Sequence, residues 1–147
     1  DVYKRQNGAP VEVDIMKSLK ERKVIIFGLP GAFTPTCSAA HLPGFVANAD
    51  KIKAKGVDTI VCVSVNDPFV MDAWGKGQNA EEIMMLGDPA GELATAMGTE
   101  LDGTGFGLGK RSSRYSLIAE DGKITALNLE QGGAYEVSSA EAILEAL

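Results

Sequence analysis

Apolar positions in this chain fall into two periods. Val24–Leu29 is an unbroken apolar run, β-branched at positions 24, 25 and 26, which is the pattern of a strand buried on both faces. Thr59–Val65 repeats it, and Ile83–Leu86 is a third, shorter run. Between the runs the period changes to that of a helix. Ala39, Ala40, Leu42, Phe45, Val46, Ala49 and Ile52 predict one helix, closed by Gly56. Pro43 removes a backbone donor inside it, so a kink or break is expected near Leu42. Phe69, Val70, Ala73 and Trp74 share one face of a second helix, opened by Asp67-Pro68 and closed by Gly75 and Gly77. Leu93, Ala94, Ala96 and Met97 predict a third, ending at Gly98. Arg114–Ala119 and Lys123–Leu129 flank an Asp121-Gly122 turn and read as a hairpin. Ser138–Leu147 is an amphipathic terminal helix, with Ser138 and Glu141 spaced as a capping box. Asp1–Pro10 has no periodicity and is expected to be irregular. Val11 and Val13 give a weak strand signal, and Asp14 can cap a short helix carrying Ile15, Met16 and Leu19.

This order predicts an α/β fold, parallel βαβ units followed by an antiparallel hairpin, giving a central mixed β-sheet flanked by helices and compatible with a thioredoxin-like fold. The 147 residues fit one domain, residues 1–147. A net charge of −6 with both signs interspersed argues against nucleic acid or an anionic membrane as partner. No apolar run nears the ~20 residues of a membrane span, and no signal-peptide pattern opens the sequence. Two cysteines indicate a reducing compartment rather than a disulfide scaffold. The expected location is cytoplasmic, or a plastid or mitochondrion if a transit peptide precedes the sequence. With one histidine and no Cys/His cluster, no metal or other cofactor is expected.

The candidate chemistry lies where the first buried strand ends. Pro30-Gly31 stop the strand, and Thr34-Pro35 suit the N-cap and first position of a helix. Cys37 then falls in that helix's first turn, near free backbone N–H groups and the positive end of the helix dipole, both of which favour a thiolate. The bland alternative is a small buried hydrophobe. Asp102–Gly109 is glycine-rich, but it does not join a buried strand to a helix as a dinucleotide loop does. It reads as a loop beside the active site or a subunit interface.

The string PGAFTPTCS, from Pro30 to Ser38, resembles the active-site signature of the peroxiredoxins, in particular their type II branch. The likeness continues through HLPGF (His41–Phe45), CVSVNDPFV (Cys62–Val70), Ala73-Trp74, GLGKRSSRY (Gly107–Tyr115) and GGAYEVSSAEAILEAL (Gly132–Leu147). It departs at residues 1–10, where the short apolar hairpin usual in that branch is not evident. The resemblance implies a thioredoxin-like fold and a thiol-dependent peroxidase acting on hydrogen peroxide and organic hydroperoxides. It further implies a homodimer, and reduction by glutaredoxin with glutathione or by thioredoxin.

Within that resemblance Cys37 is the peroxide-reacting thiol and becomes a sulfenic acid. Thr34, one turn earlier, can turn its hydroxyl toward the sulfur, and Pro30 shapes the pocket. Arg114 matches the family's active-site arginine, with Arg111 as the nearby competitor. Gly31, Phe33 and His41 are candidate pocket residues; His41, one turn beyond Cys37, reads as structural or wall-forming rather than as a base. Cys62 reads either as an inert thiol in a Val-rich strand or as the resolving cysteine that plant members are described as having at this spacing. The animal-type alternative near the C-terminus is closed, because Glu136–Ser139 holds no cysteine. Two other classes remain: a thiol–disulfide oxidoreductase, disfavoured because position 40 is Ala where Cys or Ser is wanted, and a non-catalytic redox sensor.

Overall fold

The computed structural model describes residues 2–131 and 134–147. Its centre is a seven-stranded sheet in the order β2-β1-β5-β4-β3-β8-β9. The three apolar runs are β3 (Lys23–Gly28), β4 (Thr59–Ser64) and β5 (Ile83–Gly87), which pair in parallel, while β8 (Tyr115–Glu120) pairs antiparallel to β3 and β9 (Lys123–Leu129) to β8. The mixed α/β, thioredoxin-like architecture is the one predicted.

Helices cover both faces, which is why the central strands are apolar throughout. One core joins Ile25, Phe27, Ile60 and Cys62 to Phe45, Ala49 and Ile52 of α2 (Leu42–Ala54), Met71 and Trp74 of α3 (Pro68–Gly77) and Ile143 of α5 (Ala140–Ala146). The other joins Val24, Ile26, Val61 and Val63 to Leu19 of α1 (Ile15–Leu19), with Leu93 and Met97 of α4 (Glu92–Met97) packed against it. Phe27 and Phe45 stack with centroids 4.0 Å apart and fix α2 on β3. Among the described residues no helix is long and apolar enough to cross a membrane.

Several expectations need correction. Residues 2–13 are not irregular: β1 (Val2–Gln6) and β2 (Ala9–Val13) form a hairpin about Asn7-Gly8, both at positive φ. Its residues are mostly exposed and β2 is a sheet edge, so the strands lack the apolar alternation by which buried strands are recognised. Asp102–Gly109 is not a simple loop. It spans the end of β6 (Glu100–Gly103), a 3₁₀ turn at Thr104–Phe106 and the start of β7 (Gly109–Ser112), which pairs with β6 in a separate ribbon. On α3 Trp74 is buried, but Phe69 turns outward beneath the Arg5 guanidinium. The cap of α5 is Ser139, whose hydroxyl accepts from the Ala142 N–H, and not Ser138. Of the Gly132–Leu147 motif, Gly132 and Gly133 lie outside the described residues, as does Asp1.

The kink or break expected near Leu42 takes the form of a change of helix type and not an interruption. Cys37–His41 form a π-helical turn that runs into α2, with the Leu42 N–H reaching back to the Cys37 carbonyl. Widening the turn disturbs the carbonyl ladder ahead of the proline, and side chains compensate. Gln78 Nε2 donates to the Ser38 carbonyl at 3.2 Å and Tyr135 Oη to the Ala40 carbonyl at 3.4 Å.

Candidate active site

The site begins at the C-terminal end of β3, where doubly wound sheets gather their ligands. The chain leaves the strand through Leu29-Pro30-Gly31, and the loop is held at several points. Ala32 N–H donates to Asn66 Oδ1 at 3.0 Å, Thr34 Oγ1 to the Gly31 carbonyl at 2.6 Å, and Arg111 Nη1 to the Pro30 carbonyl at 3.3 Å. Gly31 leaves room for the Arg111 guanidinium, which a Cβ there would meet at 2.7 Å and displace. Phe33 has φ of 65°, unusual for a non-glycine residue, and turns its ring out into solvent, 6.4 Å from the Trp74 ring centroid. The Thr34 hydroxyl is therefore engaged with the loop backbone, not with a helix N–H.

Helical backbone starts at Pro35 and buries Cys37 completely. Arg114, just ahead of β8, is also buried and donates from Nη2 to Cys37 Sγ at 3.4 Å. Its Nη1 is 2.9 Å from His41 Nδ1. An arginine only donates, so Nδ1 accepts and the imidazole proton sits on Nε2, which donates to the Ser138 carbonyl at 3.0 Å. The Tyr135 ring closes the group, 5.7 Å from the Arg114 guanidinium carbon and 5.3 Å from the His41 ring. Behind Ser138 lies Glu130, whose Oε2 accepts from the Glu136, Val137 and Ser138 N–H groups at 2.8, 2.9 and 2.9 Å and from Ser138 Oγ at 2.6 Å. Burial raises the Glu130 carboxyl, but these hydrogen bonds outweigh it and hold the group below the usual carboxylate range.

The fold thus brings together Cys37, His41 and Arg114 of the predicted residues. Arg111 is set apart, donating to the Leu108 and Pro30 carbonyls. Cys62 lies in β4 opposite Phe27, fully buried, and burial with Cys37 nearby pushes its thiol well above the ordinary value. Both thiols are free. From the sequence Ser138 reads only as a helix cap, and neither Glu130 nor Tyr135 carries a site signal. An acid at the end of an exposed strand reads as surface, and only the return of segment 136–138 over it makes it interior.

Burial, with Arg114 alongside, pushes the His41 imidazole from 6.5 down to about 3. The folded protein therefore keeps His41 neutral where the unfolded chain protonates it. Stability is complete above pH 6.5 and is lost as pH falls toward about 3, by about 1.4 kcal/mol per pH unit. Urea titrations at about pH 7.5 and about pH 5 are expected to show this acid slope, and His41→Gln, which cannot titrate, to remove it.

A buried sulfur against a fixed guanidinium is suited to nucleophilic attack on a small, polar electrophile whose departing negative charge the same arginine can hold. Comparison with known proteins points the same way. The Redoxin family model matches residues 3–144. Peroxiredoxin-2D of Arabidopsis thaliana is 53% identical over 127 residues, covering 86% of this chain and 78% of the relative. The chloroplastic Peroxiredoxin-2E of the same plant is 53% identical over 130 residues, 86% of this chain and 55% of the relative. Reduced Prx3 from Vibrio vulnificus, solved in complex with H2O2, superposes with a TM-score of 0.95 at 50% identity, covering 99% of this chain and 91% of that one.

Proposed function

This chain belongs to the Redoxin family, and within it to the peroxiredoxins, and on that premise we propose that Cys37 is its peroxide-reacting thiol, with Arg114, Thr34 and Pro30 completing the catalytic site. The protein is a thiol-dependent peroxidase: it takes peroxide substrates and is regenerated by a thiol reductant. The contact between Arg114 Nη2 and Cys37 Sγ, 3.4 Å at the end of β3, carries the assignment of the site.

The Cys37 thiolate attacks the terminal peroxide oxygen, and the O–O bond breaks as the S–O bond forms. Arg114 holds the charge on the departing oxygen, which gains a proton and leaves as water or alcohol. The sulfur, oxidised by two electrons, is a sulfenic acid. An incoming thiol condenses with it to a disulfide and releases water, and a second thiol reduces that disulfide. Hydrogen peroxide and alkyl hydroperoxides both fit this chemistry. Thr34, with its hydroxyl proton already given to Gly31, presents its oxygen as an acceptor for a peroxide proton. Pro30 and Gly31 shape the loop and His41 walls it, whereas Phe33, expected in the pocket, faces solvent instead.

The reductant we favour is external: glutaredoxin with glutathione, or thioredoxin. The buried, protonated Cys62 thiol is a poor nucleophile. Two large apolar side chains in solvent, Phe33 at 63% and Phe106 at 86% exposure, support a homodimer joined through the loops that carry them. Two free thiols fit a reducing compartment, cytosolic or organellar.

Intact mass after one equivalent of hydrogen peroxide tests this reading. A gain of one oxygen, trapped by a sulfenic-acid reagent in wild type and in Cys62→Ser alike, is expected. Loss of two hydrogens in wild type but not in Cys62→Ser would overturn the external-thiol cycle, and no oxygen uptake at all would overturn the assignment of Cys37.

A further inference from the structure

We propose that Glu130 is a positioning residue for peroxide reduction: its buried carboxylate pins segment 136–138, whose Ser138 carbonyl orients His41 and, through it, Arg114 against Cys37. This rests on the roles given to Cys37 and Arg114 above.

Glu130 is only 4% exposed, and a buried carboxylate is costly unless its hydrogen-bonding capacity is met. Here four donors converge on one oxygen, three from consecutive backbone N–H groups and one from the Ser138 hydroxyl. Residues 134–139 have no helix or strand of their own to supply those partners, so the carboxylate is what defines their path. That path matters because the segment touches the site three times. The Ser138 carbonyl accepts from His41 Nε2, Tyr135 packs against both His41 and Arg114, and the Tyr135 hydroxyl reaches the Ala40 carbonyl in the π turn.

Glu130 is also tied to Arg114 from the other side, its backbone N–H donating to the Arg114 carbonyl at 3.0 Å. The contacts form a closed circuit: Glu130 to Ser138, Ser138 to His41, His41 to Arg114, and Arg114 back to Glu130. The sulfur hangs from the one guanidinium nitrogen that points out of it. An imidazole that accepts at one nitrogen and donates at the other has a single satisfactory orientation. Shifting segment 136–138 therefore turns the His41 ring and moves the guanidinium from the sulfur.

The test measures the rate constant for Cys37 oxidation by hydrogen peroxide. Glu130→Ala is expected to lower it roughly tenfold to a hundredfold, the size of effect that follows from misplacing a catalytic group by about 1 Å. Glu130→Gln, whose amide oxygen still accepts, is expected to recover most of that loss. Because the influence runs through Arg114, adding Glu130→Ala to Arg114→Ala is expected to slow the reaction little further. Losses that multiply in the double variant, or a Glu130→Ala protein that melts earlier but reacts at the wild-type rate, would overturn the proposal. If Glu130→Ala does not fold, Ser138→Ala carries the test. It removes one of the four bonds and keeps the carbonyl that His41 uses, so a severalfold slower reaction supports the proposal and an unchanged one overturns it. A wild-type rate in Arg114→Ala alone would instead remove the reading on which the proposal stands.

Discussion

Cys37→Ser is expected to reduce peroxide turnover with a thiol donor to background. A serine hydroxyl fills nearly the same volume but does not ionise near neutral pH, and its oxygen cannot be oxidised as sulfur is. The replaced atom is fully buried and receives one donor, Arg114 Nη2, which an oxygen can equally accept from. The variant should therefore fold, with a melting temperature close to that of wild type, and only the chemistry should disappear. The measurement is peroxide consumption under excess dithiol beside a thermal melt. Persistence of wild-type consumption would move the reaction to Cys62, the other thiol in the sequence. That outcome would contradict the burial and raised thiol of Cys62.

Arg114→Ala is expected to slow peroxide reduction by about a hundredfold to a thousandfold, the typical result of deleting one preorganised donor to a developing anion. Two further losses follow from the same substitution. The His41 Nδ1 acceptor, buried and bonded to Arg114 Nη1 at 2.9 Å, is left without its donor, a loss of about 1–3 kcal/mol of stability. The guanidinium contact with the Tyr135 ring, 5.7 Å to the centroid, also disappears. Arg114→Lys separates charge from geometry. An ammonium keeps the positive charge but lacks the planar fork that meets Cys37 and His41 with separate nitrogens, so an intermediate rate is expected. Stopped-flow oxidation of the three proteins decides this. Full recovery in the lysine variant would show that charge alone is needed, and an unchanged rate in the alanine variant would remove Arg114 from the site.

Much of the fold was legible because its elements are unusually regular in sequence. β3, β4 and β5 are short apolar runs bounded by turn residues, and a strand covered on both faces can hardly look otherwise. The β8–β9 turn is written in Asp121-Gly122, both at positive φ. The N-terminal hairpin carries the same signal in Asn7-Gly8, yet its polar, exposed strands hid it. At Pro43 the missing donor is visible in the sequence, but the helix's answer to it is not. Whether a helix breaks or widens by one residue depends on partners for the freed carbonyls, and those come from Gln78 and Tyr135, far away in sequence.

The sequence by itself determined the strand–turn–helix that carries Cys37, the order of the βαβ units and the family likeness, because each rests on local spacing. The resemblance already favoured Arg114, but tertiary structure sets the geometry that separates it from Arg111. Arg111 and Arg114 are three positions apart in the same motif, and only the pairing of β6 with β7 and of β8 with β3 sends one to the Pro30 carbonyl and the other to Cys37. It also turned Glu130 from an apparent surface acid into a buried anchor and Ser138 from an apparent cap into its partner. Hydrophobic periodicity reports whether a side chain is buried, but a hydrogen bond between residues far apart in the chain depends on where two backbones arrive, and that is set by the packed whole.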